Sequence, residues 1–352
     1  MPDDVLRRTA RRLTAALTAA LCLLALGGYA AATPASAAGP TLRSLADAKG
    51  IKIGTAVQAG QLSGNATYSG TASAQFNSVT PENEMKWSSV EPTQGQFNFA
   101  AADAIVAFAQ AHGQRVRGHN LIWHSQLPNW LNNGNFNATQ LNQLLQSHIA
   151  TEAGRYRGRI AQWDVVNEPF NDNGTLRSSI WQQKLGSGYI ATALRAARQA
   201  DPGARLFLND FNIEGVNAKS TAMLNLVTSL RSQGVPIDGV GLESHFILGQ
   251  VPSSLQQNIA RFTALGLSVE ITELDDRMTL PSTSAKLTQQ ASDHARVVNA
   301  CLAVRGCTGI TVWEFTDRFS WVPGAFSGQG AADLYDTNIA PKPAYTAVQT
   351  AL

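Results

Sequence analysis

The sequence predicts a single closed (β/α)8 barrel of the α/β class, and three observations carry that reading. Short runs of β-branched and aliphatic residues recur eight times, segments of helical periodicity separate them, and polar and aromatic residues collect where the apolar runs end. The expected strands are 51–57, 76–80, 115–122, 161–166, 205–208, 240–242, 267–272 and 310–315. The helical segments between them include 101–112, 141–156, 190–200, 221–233, 255–265 and 286–304. Strict alternation in a chain of this size favours a closed ring of parallel strands.

The run ends decide between a ring and an open sheet. They carry Glu82, Asn83 and Lys86; His119, Trp123 and His124; Asn167 and Glu168; Asn209 and Asp210; Glu243 and His245; Glu273 and Asp275; and Trp313. An open sheet gathers its site at one crevice between two strands, whereas a barrel builds its mouth from the C-terminal ends of many. Seven furnished ends point to the barrel.

The N-terminus has its own pattern. Arg7, Arg8, Arg11 and Arg12 precede the apolar run 13–26, and Ala35-Ser36-Ala37 supplies small residues for cleavage. Residues 1–37 are therefore expected to be a signal peptide and 38–352 one barrel domain, since no linker-like tract divides the rest. The apolar run is shorter than the roughly 20 residues that span a bilayer, so no membrane attachment is expected after cleavage. Cleavage removes four arginines and two aspartates, so 27 basic and 25 acidic residues become 23 of each. A neutral chain with no basic patch gives no reason to expect nucleic acid as a partner. Cys22 leaves with the leader, and Cys301 and Cys307, six positions apart, are expected to pair as a disulfide in an oxidising compartment. Two unpaired buried thiols are the alternative.

Two strand-end glutamates stand out chemically. Glu168 closes Asp164-Val165-Val166-Asn167-Glu168 on the fourth strand, and Glu273 closes Glu270-Ile271-Thr272-Glu273 on the seventh. In an eight-strand ring these positions lean over the mouth from nearly opposite sides. Opposed carboxyls are what glycosidic cleavage requires, one to protonate the leaving oxygen and one to meet the oxocarbenium-like centre. A separation of about 5 to 5.5 Å would mean retention of configuration.

The segments Pro81-Glu82-Asn83-Glu84-Met85-Lys86-Trp87, Gly118-His119-Asn120-Leu121-Ile122-Trp123-His124, Asp164-Val165-Val166-Asn167-Glu168-Pro169, Ser244-His245-Phe246 and Ile271-Thr272-Glu273-Leu274-Asp275 resemble glycoside hydrolase family 10, the β-1,4-xylanases. The likeness runs from about Thr41 to Pro341-Lys342-Pro343-Ala344-Tyr345. It implies a secreted, extracellular, monomeric endo-β-1,4-xylanase that acts on xylan and xylo-oligosaccharides by retention, without metal or organic cofactor. It implies Glu168 as acid/base, Glu273 as nucleophile, and Asn167 as donor to the 2-hydroxyl of the sugar beside the nucleophile. His245 and Asp275 are implied to keep Glu273 ionised. Glu82, Asn83, Lys86, His119 and Trp123 match the family's glycone-side contacts, and Trp313 and Trp321 its aromatic wall. Trp321 with Gln126 is expected to admit xylose and crowd a glucosyl hydroxymethyl group, which is worth about 1 to 3 kcal/mol.

Two rival functions remain at this level, an endoglucanase on the same barrel and a carbohydrate-binding protein that has lost catalysis. Two positions depart from the family pattern. Glu243 stands where glutamine is usual and, facing the mouth, is expected to titrate as a coupled pair with Glu273. Glu314 stands where glycine is usual; strand alternation turns it towards the helices, where an Arg or Lys partner is expected.

Overall fold

The computed structural model describes residues 39–352. The expected signal peptide, 1–37, lies outside the described residues.

Eight parallel strands form the barrel: β1 (Lys52–Val57), β2 (Ser78–Pro81), β3 (Arg115–Ile122), β4 (Gln162–Asn167), β5 (Arg205–Asp210), β6 (Gly239–Leu242), β7 (Ser268–Thr279) and β8 (Cys307–Val312). Each pairs with the next, and β8 closes the ring by pairing with both neighbours: Ile310 lies opposite Ile271 of β7 and Ile53 of β1. Helices follow the strands, among them Ala100–Ala111, Ala138–Arg155, Gly188–Ala200, Ala218–Ser232, Leu255–Thr263, Ser284–Leu302 and Pro343–Ala351. Two of them start three residues before the expected 141 and 221, at Ala138 and Ala218, because capping boxes extend them. Asn137 caps one helix by accepting from the Gln140 amide while the Gln140 side chain returns a bond to Asn137, and Asn217 does the same with Ser220.

Apolar side chains fill the space between strands and helices, from Ile53 and Val79 to Ile271 and Ile310, all essentially buried. The inside of the ring is different. Arg117, 1% exposed, spans it to reach both Asp164 of β4 and Glu270 of β7, with a 2.9 Å bond to the latter. Trp163 packs on the helix side against Gly118, whose backbone leaves room that any Cβ would take from the indole.

β7 outlasts the barrel. Its extension pairs with a short strand, His245–Ile247, in a register that sets His245 opposite Asp275, and it is followed by the antiparallel segment Gln329–Gly330. β8, by contrast, ends at Val312 rather than Phe315, because Glu314 takes a left-handed backbone with φ 65°. Cys301, in the last turn of Ser284–Leu302, and Cys307, at the start of β8, form a disulfide with Cα atoms 5.3 Å apart.

Candidate active site

A cleft of about 470 Å³ opens at the C-terminal ends of the strands. It is lined by all thirteen residues expected to catalyse or to touch sugar: Glu82, Asn83, Lys86, His119, Trp123, Gln126, Asn167, Glu168, Glu243, His245, Glu273, Trp313 and Trp321. Asp275 lies fully buried beneath it. Phe211, Asn212, Arg277 and Phe326 complete the lining. The sequence reading gave these four no role in sugar contact: Phe211, Asn212 and Phe326 lie outside the strands, and Arg277 sits on the extension of β7 past the barrel, whose path over the mouth no periodicity records.

Glu273 is held from three sides. Asn209 donates through Nδ2 to its Oε1 at 2.8 Å, His245 Nε2 stands 3.2 Å from Oε2, and His119 Nδ1 lies 3.8 Å from Oε1. Burial alone would raise its pKa, but the His119 and His245 imidazoles outweigh burial and hold the carboxyl below the usual range. His245 in turn faces Asp275 Oδ2 through Nδ1 at 2.8 Å. Burial disfavours its charge, yet the Asp275 and Glu273 carboxylates raise its pKa to about 10, so both nitrogens carry protons near neutrality and donate. The expected pair is thus present as an imidazolium between two carboxylates.

Asn209 is the residue whose role the sequence reading left open. Its amide also faces Asn167 Oδ1 at 2.8 Å and Glu243 Oε1 at 3.2 Å, and Thr272 donates to its Oδ1 at 2.7 Å, which fixes its orientation. With Oδ1 of Asn167 engaged, that residue's own amide protons are left for the cleft. Gly241 of β6 makes the arrangement possible, since a Cβ there would collide with Asn209 Oδ1. Asn209 at a strand end was visible in the sequence; its convergence with three other strands was not.

Glu243 is 2% exposed, and His245 Nε2 stands 3.9 Å from it against 3.2 Å from Glu273. Burial first, then the charges of Glu273 and Glu168, push its pKa well above the carboxylate range. The coupling expected between Glu243 and Glu273 therefore resolves in one direction: the proton sits on Glu243 and the charge on Glu273, because His245 is closer to Glu273 and His119 stands beside it as well.

Glu168 follows β4 with φ 52°, a left-handed conformation that costs a non-glycine residue about 1 to 3 kcal/mol and is typical of functional positions. Arg177 clamps this turn, donating from Nε to the Glu168 carbonyl at 3.0 Å and from a terminal nitrogen to the Phe170 carbonyl at 3.1 Å. Burial and the Glu273 charge raise the Glu168 pKa; the Arg177 guanidinium, 3.9 Å from Oε2, offsets this only in part. His124 stands 3.8 Å away on the same side and is neutral, its pKa lowered to about 4 by burial and by Arg177. Of the two glutamates expected to catalyse, Glu168 is thus tuned to keep its proton and Glu273 to lose it.

On the β2 side, Lys86 donates to Asn83 Oδ1 at 3.0 Å and lies 5.1 Å above the Trp123 ring and 5.9 Å from that of Trp313. Glu82 accepts from Gln58 Nε2 at 2.8 Å. Glu314 departs from expectation. It does turn towards a helix, meeting Tyr68 of Ala66–Gln75, but it has no Arg or Lys partner. The Tyr68 hydroxyl lies 2.7 Å and 2.9 Å from its two oxygens, and the charged groups around it are the acids Glu82 and Asp333. Burial and the Glu82 charge raise its pKa well above the usual range, so the group is kept neutral, and a neutral carboxyl needs no base.

The aromatic wall is braced. Trp321 donates from Nε1 to Asp275 Oδ2 at 2.6 Å and packs against His245, with centroids 4.9 Å apart. Among the described residues, one trio brings three potential metal-ligating atoms within 4.8 Å of one another: Glu243, His245 and Glu273. Both His245 nitrogens are already engaged, Nδ1 by Asp275 and Nε2 by Glu273.

This constellation can be compared with known proteins. Residues 41–351 match the model of glycosyl hydrolase family 10. An endo-1,4-beta-xylanase of Agaricus bisporus is 53% identical over 310 residues, covering 87% of this chain and 93% of that protein. Endo-1,4-beta-xylanase A of Phanerodontia chrysosporium is 49% identical over 316 residues, covering 89% and 78%. Among solved structures, xylanase 10B of Thermotoga petrophila in complex with xylobiose superposes with a TM-score of 0.87 at 39% identity, covering 89% of this chain and 97% of that one. With a family match along nearly the whole described barrel, and with its motif residues gathered at one mouth, the chain belongs to glycosyl hydrolase family 10.

Proposed function

We propose that the chain is an endo-1,4-β-xylanase that hydrolyses internal bonds of xylan with retention of configuration. The observation that carries this is the opposed tuning of two carboxyls in one cleft, Glu168 above and Glu273 below the ordinary range. Ionised Glu273 attacks the anomeric carbon while Glu168 passes its proton to the departing glycosidic oxygen. The bond from sugar to Glu273 forms as the bond to the leaving chain breaks. Glu168, now a carboxylate, takes a proton from water; the oxygen of that water attacks the same carbon and Glu273 leaves as the anion. Asn167 serves the 2-hydroxyl, and the paired histidines offset the charge that returns to Glu273.

Xylan rather than cellulose is the substrate on two grounds. The relatives above are named as xylanases, and the Trp321 wall is pinned by Asp275 and His245, so it does not yield readily to a hydroxymethyl group. Residues 1–37 act as a signal peptide, and the mature domain works outside the cell as a monomer; N-terminal sequencing of secreted protein should begin near Ala38. The deciding experiment is product analysis of xylan hydrolysis by wild type beside Glu273→Ala, with the anomer followed by NMR. An initially α product, or equal rates on carboxymethyl cellulose, would overturn the reading.

A further inference from the structure

The Glu314 carboxyl is fully buried, yet the mechanism above does not use it. Its surroundings form a closed circuit. Tyr68 brings its hydroxyl to both Glu314 oxygens at 2.7 and 2.9 Å, the Glu314 carboxyl lies within hydrogen-bonding reach of Glu82, and Glu82 also accepts from Gln58 Nε2 at 2.8 Å. Two carboxyls in contact without a cation between them share one proton. Glu314 faces Tyr68 from the helix, Glu82 from β2 and Asp333 from the loop after β8, with no base among them. Burial raises the pKa of Glu82 too, but the Gln58 bond and the Lys86 charge oppose the rise and the group opens on the cleft, whereas the enclosed Glu314 is pushed well above the usual range, so the proton belongs on Glu314 and the charge on Glu82.

We propose that Glu314 is a positioning residue for sugar binding: held by Tyr68, it donates a hydrogen bond to the Glu82 carboxylate and fixes that carboxylate for a xylose hydroxyl. The ligand is the glycone sugar one unit beyond the bond cleaved. Asn209, His245 and His119 fill the surroundings of Glu273, whereas Glu82, at the β2 end of the cleft, is bonded to Gln58 and to none of these three, so it serves the next ring. This rests on the proposed xylanase function and adds a residue to it. The backbone supports a purpose other than packing: φ 65° suits glycine, the family's usual residue here, and a glutamate is carried there against its conformational preference.

The test is steady-state kinetics on two activated aryl glycosides, a xyloside that fills only the site beside Glu273 and a xylobioside that also reaches Glu82. Glu314→Gly removes the contact and suits the backbone. It should raise KM for the xylobioside about tenfold, the scale of one hydrogen bond to a charged group, and leave kcat/KM for the xyloside within about twofold. Glu314→Gln retains a donor for Glu82 and an acceptor for Tyr68, and should restore the xylobioside KM. Tyr68→Phe, which unpins Glu314, should raise that KM by a smaller factor. Equal losses on both substrates, or no loss in Glu314→Gly, would overturn the proposal. Should the glycine variant not fold, an unchanged xylobioside KM in Tyr68→Phe would do so. A wild-type protein inactive on the xylobioside would instead defeat the xylanase reading, so the two failures are separable.

Discussion

Arg117→Met should lower stability far more than its distance from the substrate implies. Arg117 is 1% exposed and holds two carboxylates, Asp164 and Glu270, inside the barrel; Asp164 also accepts from His119 at 3.0 Å, and His119 faces Glu273. Burial would raise Asp164, but Arg117 and His119 keep it below its ordinary pKa. Methionine fills much of the volume and removes the charge, stranding both acids. Breaking a buried pair of this kind costs about 3 to 5 kcal/mol. At about 2.1 cal/mol/K per residue, some 310 residues have an unfolding entropy of roughly 0.65 kcal/mol/K, so the loss corresponds to about 5 to 8 °C in Tm. The sign with pH follows from linkage. In the variant Asp164, without its guanidinium, takes up a proton in the native state, so native protein binds more protons than unfolded and stability falls as pH rises. Reversible urea unfolding of both proteins at several values from pH 5 to pH 8 measures this. The penalty should be greatest at pH 8 and shrink by half or more at pH 5. A loss below about 1 kcal/mol, or one that does not change with pH, would refute the idea that Arg117 stabilises by neutralising buried charge.

The remaining predictions concern the mouth. Glu273→Ala should abolish hydrolysis, and azide should partly restore it on an aryl xylobioside with inverted configuration, read by NMR; rescue giving the original anomer would remove Glu273 as nucleophile. Glu168→Ala should lose about 10² to 10⁴ in rate on xylan and far less on an aryl substrate whose leaving group needs no proton. Equal losses would count against Glu168 as the acid. Glu243→Gln mimics the protonated form that burial and Glu273 enforce, so the acidic limb of the kcat/KM profile should stay in place and the alkaline limb extend. The raised folded pKa of Glu243 also means that wild-type stability declines as pH climbs above its unfolded value near 4.5, and the glutamine variant should show a flatter decline. A displaced acidic limb would put the proton on Glu273 instead.

The alternation of strands and helices was legible because it rests on local periodicity. Runs such as 51–57 and 267–272 alternate aliphatic residues with others at the period of a strand, and segments such as 141–156 and 221–233 carry the helical period. Glu168 and Glu273 were legible because strand order in a closed ring converts sequence position into placement round the mouth. What the sequence left undecided depends on distances across the ring. Arg117 and Glu270 are 153 positions apart and meet only because β3 and β7 face each other through the barrel. Asn209 joins Asn167, Glu243 and Glu273 from four different strands, and no spacing encodes that. Protonation states belong to the same class. Two acids on neighbouring strands share a charge unevenly according to which one the imidazoles reach, so Glu273 rather than Glu243 is the anion. Glu314 was expected to seek a base, yet the left-handed turn delivers it to Tyr68, 246 positions away, and to a second acid. Composition and pattern determine which groups stand at strand ends; only the closed barrel determines which of them touch, and contact is what sets a proton's place.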